Sequence, residues 1–278
     1  MAIADFLANK LRLPDAPVTI AQMKSQERLA VHRLVLGKKP AFRQVSLDIH
    51  KNTLMEIEKR CIRLNGLPII EIGAGVIPLS ELSNSVFSTD IELSSGLDCI
   101  ASATSLPIAS GRVRAIVGQN VFHHIPDADG LITEAGRVLA PGGILILVEP
   151  YYGTFATLIF PALFSSEGFD KKKGVNEPIK NVSGDVLPNQ AVSYSYFSDN
   201  CTNPKLSESQ MQVVYTAPLR SGLRYLLSGA LNFRKLLPDW ILAIVRQLEE
   251  KPLIGKVFDF FAIHWIIVVQ KIELSSDD

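Results

Sequence analysis

The sequence predicts an α/β protein built on a doubly wound parallel sheet, and three observations carry that prediction. Short apolar runs at 67–72, 86–90, 113–118 and 143–149 are separated by helical segments, the pattern of parallel strands joined by right-handed crossovers. The runs are almost continuously apolar, as in strands covered on both faces. The first run delivers the chain into Gly73-Ala-Gly75, a tight turn of the kind that lies at the carboxyl edge of such a sheet.

The elements follow in order. Up to Gly66 the chain reads as a helical arm: Leu54, Ile57 and Cys61 fall at spacings of three and four on one stripe, and Asn65-Gly66 is a stop signal. Residues 67–72 form a first strand that should feed the glycine turn and then a helix. Val86 to Asp90 is a second strand, Val113 to Gly118 another and Gly143 to Glu149 a long one, with a helix from about Asp129 to Leu139 before it. From Tyr151 to about Asn203 no period is visible, which marks an insertion containing Lys171-Lys-Lys. Order returns at Met211 to Tyr215, in a helical stretch from Leu223 to Leu248 broken at Pro238, and in a last strand from Phe260 to Gln270, before an acidic tail at 275–278. The division expected is a helical arm over 1–66 and one domain over 67–278 with a lid inserted at about 151–203.

Composition narrows the function. An apolar fraction of 47% with only 20% charged residues excludes a disordered chain. The 28 basic residues are balanced by 28 acidic ones, so the field expected of a nucleic-acid binder is missing. Residues 1–66 carry 12 Lys and Arg against 6 Asp and Glu, a basic arm that can rest on anionic lipid or on the acidic remainder of the chain. Cys61, Cys99 and Cys201 have no CxxC or histidine company, which suggests neither disulfides nor a metal site. With no secretory layout at the start and no apolar run of spanning length, a cytoplasmic soluble protein is expected.

The chemistry should sit at the glycine turn. A nicotinamide fingerprint would need a third glycine where Pro78 stands. Glu71 before the turn, and Asp90 ending the next strand 17 residues after Gly73, still provide carboxylates able to accept both hydroxyls of a ribose; capping of a following helix is the other role open to Asp90.

Three further segments sharpen this: Leu106-Pro107, then Ile116-Val-Gly-Gln-Asn-Val-Phe-His-His-Ile-Pro126, then Glu134-Ala-Gly-Arg-Val-Leu-Ala-Pro-Gly-Gly-Ile-Leu-Ile-Leu-Val-Glu-Pro150. In this order and spacing the chain resembles the class I S-adenosylmethionine-dependent methyltransferases, in particular the group similar to ubiquinone/menaquinone-biosynthesis methyltransferases (methyltransferase type 11). The resemblance covers about 67–150, and the flanks are similar to uncharacterised bacterial proteins of this type. It implies a Rossmann-like seven-stranded sheet with a reversed last strand, S-adenosyl-L-methionine as cofactor, and a methyl acceptor that is a small molecule, free or linked to lipid or sugar. By position it implies that Glu71 serves the methionine amino group through water, that Gly73 and Gly75 admit the cofactor, that Asp90 holds the ribose, and that Ile91 lies against adenine. Ser102 and Ala103 then stand beside the adenine ring, and Gln119 and Asn120 pass under the sulfonium. Two positions depart from the pattern: Ile77 replaces a glycine, and Ser102 replaces the aspartate that accepts from the adenine amino group.

For the transfer itself, His123 and His124 are the candidate bases, since a histidine's ordinary pKa suits removal of a hydroxyl proton. Glu149 at the tip of its strand is a further catalytic candidate, with Tyr151 and Tyr152 as pocket wall. Each of these also has a plain structural role open to it. O-methyl transfer is the expected reaction. An inactive methyltransferase-fold scaffold in a cell-surface polysaccharide or lipid pathway is the alternative that Ile77 and Ser102 support. His32 and His50 read as surface or cap residues and His264 as a core histidine, with no metal expected. The Asn181-Val-Ser183 sequon carries no function in a cytoplasmic protein. The apolar stretches 155–164 and 236–245 are too short to span a bilayer, and could line the lid, a dimer contact or a peripheral membrane contact. The oligomeric state stays open, a homo-oligomer included.

Overall fold

The computed structural model describes residues 10–13, 25–164, 167–174, 177, 179–180, 186–198 and 203–272. Cys201, the Asn181 sequon, the acidic tail and the first nine residues lie outside them. The chain divides into two compact units, one made of His50–Glu149, Val192–Ala217 and Ile266–Asp278, the other of Met1–Ile49, Pro150–Ala191 and Pro218–Trp265.

The first unit holds most of the sheet. Its strands are β1 (Ile69–Ile72), β2 (Val86–Asp90), β3 (Cys99–Ile100), β4 (Val113–Gln119), β5 (Leu139–Pro150), β6 (Met211–Pro218) and β7 (His264–Lys271), in the order β3-β2-β1-β4-β5-β7-β6. β1 is parallel to β2 and β4, β2 to β3, and β4 to β5. β7 runs the other way: Ile272 N–H donates to the carbonyl of Gln210 at one end of its pairing with β6, and Leu219 N–H donates to that of His264 at the other. The reversed strand implied by the resemblance is therefore present. Ile69, Ile72, Ile116, Leu145, Ile146 and Ile267 are all at most 1% exposed, and each such side chain contributes about 1.5–3 kcal/mol by leaving water.

Three local devices shape this unit. Helix α2 (Pro40–Arg60) ends where Cys61 turns its thiol to the carbonyls of Arg114 and Gly142, under the sheet. Helix α3 (Ala128–Val138) starts at Asp127, whose side chain accepts the Gly130 N–H, and runs directly into β5. There the Pro141-Gly142-Gly143 segment makes a bulge, because Val113 pairs with Leu139 while Ala115 pairs with Ile144. Gly142 sits at φ 79°, and a Cβ on Gly143 would lie 2.9 Å from the carbonyl oxygen of Ala140, so only glycine fits.

The helix expected after the glycine turn is replaced by a single 3₁₀ turn, Leu79–Glu81. Pro78 stands in extended backbone (ψ 147°), the residue before a proline avoids the helical region, and few residues then remain before β2 begins at Val86.

In the second unit lie helices α1 (Ser25–Gly37), α4 (Thr154–Leu163), α7 (Gly222–Leu227), α8 (Asp239–Glu249) and α9 (Pro252–Phe260), while α5 (Val192–Phe197) and α6 (Pro204–Glu208) belong to the first. The helical stretch expected over 223–248 with a break at Pro238 is present as α7 and α8, Pro238 standing at the start of the latter. α9 was not anticipated, and Phe260 ends it rather than opening β7. An aromatic core surrounds Ala156, Phe160 and Ile263, and Phe160 stacks on Phe169 with ring centres 5.1 Å apart. Tyr151 and Tyr152 belong here too, Tyr152 edge-on to Trp265 at 5.0 Å. Lys39, 5% exposed, donates to the carbonyls of Gly229, Ala230 and Phe233, three acceptors that hold its charge against burial. His264 is buried with its ring on Tyr225, as expected of a core histidine. Among the described residues no helix is long and apolar enough to cross a membrane.

Candidate functional site

Strand register assembles the site. Ile72 pairs with Thr89 on one side and with Gly118 on the other, so the next residues, Gly73, Asp90 and Gln119, share one row at the carboxyl edge of three adjacent strands about 4.8 Å apart. This is the crevice edge at which open α/β sheets bind ligands.

Gly73 and Gly75 both adopt left-handed backbone, at φ 64° and 60°. A Cβ on Gly73 would come within 2.5 Å of Val121 Cγ2, whereas one on Gly75 would meet only a backbone oxygen at 3.9 Å. Thus Val121, which the sequence reading passed over, closes the turn from the β4 side, and the Gly75 side stays open. Ala74 N–H donates to the carbonyl of Thr89 and ties the turn to β2.

The Glu71 carboxyl faces the fold. Both oxygens accept the Leu79 N–H at 2.9 Å, and Oε2 accepts the Ser88 hydroxyl at 2.7 Å. Burial pushes its pKa up to about 7, against those two donors. The folded state therefore holds a proton that the unfolded state releases near 4.5. Its contribution to stability is full below that value and falls as pH rises to about 7, by roughly 3 kcal/mol. Urea unfolding of Glu71→Ala and the parent at pH 5 and pH 8 should show the parent losing more stability between the two. An equal loss in both would remove Glu71 as the source.

Asp90 accepts the Glu92 N–H through Oδ1 at 3.1 Å. It caps a turn, since no helix follows it, and its other oxygen has no partner among the described residues. Ile91 beside it is 70% exposed. Ala101 N–H donates to the Asp90 carbonyl, which brings Ser102 and Ala103 next to the row; Ser102 is engaged with Thr104 in a local turn, Oγ to Oγ1 at 2.9 Å. That loop is pinned from α3. Glu134 accepts the Leu106 N–H at 2.6 Å, and Arg137 donates to the carbonyls of Leu106 and Ile108 while pairing with Glu134. The Glu134 and Arg137 of the third segment thus act by fixing the loop that carries Ser102 and Ala103.

At the end of β4, Gln119 Oε1 is buried and accepts no hydrogen bond among the described residues. Asn120 is held at φ 52°, its N–H donating to the carbonyl of Val148. Next comes a 3₁₀ turn, Phe122–His124. Glu149, 0% exposed, accepts the N–H groups of Val121 and Phe122 through Oε1, each at 2.9 Å, and His123 Nδ1 lies 2.5 Å from Oε2. The carboxylate thereby fixes the turn and sets the imidazole tautomer with its proton on Nδ1. His123 is nearly buried, and His124 is exposed with its ring 4.2 Å from that of His123. Phe122 packs on Tyr196 and Phe197, and Tyr196 donates to Asp129 at 2.6 Å.

Ile77 is built into the core. It is 7% exposed, and its carbonyl accepts His50 Nε2–H at 2.8 Å, so His50 is a buried tie and not the surface or cap residue expected.

Residues 77–147 match the family model of the methyltransferase domain, about a quarter of the chain. No curated protein matches. Among solved structures the chain is similar to a SAM-dependent methyltransferase from Methanosarcina mazei, 17% identical with 74% of this chain and 93% of that one covered and a TM-score of 0.39. It is similar to geranyl diphosphate C-methyltransferase from Streptomyces coelicolor, 12% identical over 84% and 83% of the two chains with a TM-score of 0.43. A third is the S-adenosylmethionine-dependent methyltransferase from Mesorhizobium loti, 13% identical over 73% and 90%, with a TM-score of 0.42.

Proposed function

We propose that this chain, a class I S-adenosylmethionine-dependent methyltransferase by its domain match and its sheet order, transfers a methyl group to a hydroxyl of a small-molecule acceptor. The observation that carries the choice of oxygen is the His123–Glu149 pair beside the Gly73–Asp90–Gln119 row. A hydroxyl must lose its proton on methylation, and the oriented imidazole beside this edge is placed to take it.

The residues present fit the cofactor. The left-handed Gly73-Ala-Gly75 turn leaves its Gly75 side open. Asp90 keeps one carboxylate oxygen for a ribose, and Ile91 offers an exposed apolar face for adenine. The partnerless Gln119 Oε1 is an acceptor at the same edge. When bound, S-adenosylmethionine supplies an electrophilic methyl group.

The chain's own work is to hold and move a proton. Glu149 keeps the His123 proton on Nδ1, which leaves Nε2 as the basic nitrogen. Nε2 takes the acceptor's hydroxyl proton, and the imidazolium so formed is balanced by the buried carboxylate. Glu71 is assigned to the turn's architecture, since its three hydrogen bonds all go to the fold. Ile77, fixed in the core by His50, likewise leaves the open side of the turn unobstructed.

Calorimetric titration with S-adenosylmethionine and S-adenosylhomocysteine tests the reading. The folded wild type should bind both with micromolar affinity, and Asp90→Ala should weaken binding by about 10- to 100-fold, the loss of charge-assisted hydrogen bonds to two hydroxyls. No heat from folded wild-type protein would favour the scaffold alternative.

A further inference from the structure

α8 and α9 follow one another, pack together within the second unit, and each carries an outward apolar face besides the one it buries. A surface helix buries its apolar stripe and shows its charges. Here the inner face of α8 carries Leu242, 1% exposed, beside Glu249, 5% exposed and bound to Arg224, and Arg246 bound to Asp48, so apolar side chains remain for the outer face. Trp240, Ile244 and Leu248, at successive spacings of four, face solvent, with Trp240 67% exposed. α9 repeats the pattern, with Leu253 at 86% and Val257 and Phe260 also exposed, while Gly255 and Phe258 are buried. Two consecutive helices with exposed apolar side chains of this size are the kind of surface that marks an interaction site.

The charges around the patch identify its occupant. Asp239 is paired with Lys235, Asp259 with Arg220, Glu249 with Arg224, and the exposed Glu250 lies 3.8 Å from Arg246. Arg234, Lys251 and Lys256 are exposed and have no acidic partner among the described residues. The rim therefore presents uncompensated cations around aromatic and aliphatic side chains, the composition that settles in an anionic lipid interface. A second copy would have to offer acidic groups to all three cations, whereas an anionic lipid surface does so everywhere.

We propose that the α8–α9 hairpin docks the protein on the surface of an anionic bilayer, with Trp240, Leu253, Val257 and Phe260 entering the headgroup region and Arg234, Lys251 and Lys256 meeting lipid phosphates. The assignment is independent of the methyl-transfer reading and holds for a scaffold equally.

Tryptophan emission reports it directly, because the chain has two tryptophans and Trp265 is 1% exposed. Phosphatidylcholine vesicles with a third of the lipid replaced by phosphatidylglycerol should co-sediment the protein and shift its emission to the blue. Pure phosphatidylcholine should bind it more weakly, and high salt should release it. Lys251→Gln with Lys256→Gln should lower partitioning by about 20- to 30-fold, from the worth of two basic residues at such a surface. Leu253→Ser with Val257→Ser should abolish the blue shift while leaving the thermal melt unchanged, as both side chains are exposed. Protein that stays in the supernatant with anionic vesicles overturns the proposal, as does binding indifferent to both double variants. Lipid-free self-association that Leu253→Ser with Val257→Ser abolishes would give the face to a second copy and overturn it as well.

Discussion

Glu149→Gln should lower methyl transfer on the order of 10³-fold or more in kcat, with the affinity for S-adenosylhomocysteine unchanged within about twofold, the pattern of an orienting carboxylate exchanged for its amide. The substitution keeps shape and volume. Glutamine Oε1 can still accept the Val121 and Phe122 N–H groups that Glu149 Oε1 accepts at 2.9 Å, so the turn after β4 stays in place. The other half of the side chain reverses its role: where Oε2 now accepts from His123 Nδ1, an amide NH₂ must donate. The imidazole then carries its proton on Nε2, the nitrogen assigned to take the acceptor's proton, and the base is lost. Nitrogen-15 spectra of the histidine ring test the same step without any acceptor, since the protonated nitrogen should change from Nδ1 to Nε2 between wild type and variant. A variant that switches tautomer yet keeps its rate would reduce the pair to a strap between β4 and β5.

That pair also marks how far the sequence could be read. Strands β1, β2, β4, β5 and β7 lie on the apolar runs, Val86 to Asp90 with the predicted limits, because a buried strand is written continuously in its own residues, whereas β3 is two exposed residues with no such run. The row Gly73, Asp90 and Gln119 was legible for the same reason: Asp90 ends one of those runs, and Gly73 and Gln119 each stand just beyond another. The partnerships of the polar groups were not. Glu71 and Glu149 are both carboxylates at strand ends, and nothing local says that one braces a 3₁₀ turn while the other orients a histidine 26 residues away. Val121 escaped notice because its role depends on how closely β4 approaches the glycine turn. Pro78 does carry a signal for the missing helix, read with the shortness of 73–85. The apolar residues of α8 and α9 were visible from the start. That they face outward follows only from the ion network beneath them.

Asp48 is the centre of that network, and Asp48→Ala should cost about 3 kcal/mol, within the range for breaking a buried ion pair from one side. Its carboxylate accepts Nη1 of Arg224 at 2.8 Å, Nε and Nη2 of Arg246 at 2.8 and 3.0 Å, and Nε2 of Gln44 at 2.9 Å. These donors outweigh burial and hold its carboxyl below the usual value. Arg246 is partly exposed and would recover water, so its loss is small. The Arg224 side chain is 4% exposed and cannot. It would keep only Glu249, whose own carboxyl burial pushes up to about 7, and would donate into a partner that is largely neutral below that pH. A loss of this size lowers the midpoint of thermal unfolding by roughly 6–12 °C for a body of this length. The sign with pH is fixed: a carboxyl whose folded pKa is depressed stabilises above its unfolded value of about 3.9 and ceases to as pH falls through the folded one. Urea unfolding at pH 7 should therefore separate Asp48→Ala from wild type, and the gap should close towards pH 3. A gap below about 1 kcal/mol at pH 7, the worth of a surface pair, would mean that packing rather than charge holds α8 against α2. Arg224→Lys decides between those two accounts, because one ammonium cannot span Asp48 and Glu249 as the planar guanidinium does. It should reproduce most of the Asp48→Ala loss if charge geometry governs, and almost none of it if packing does.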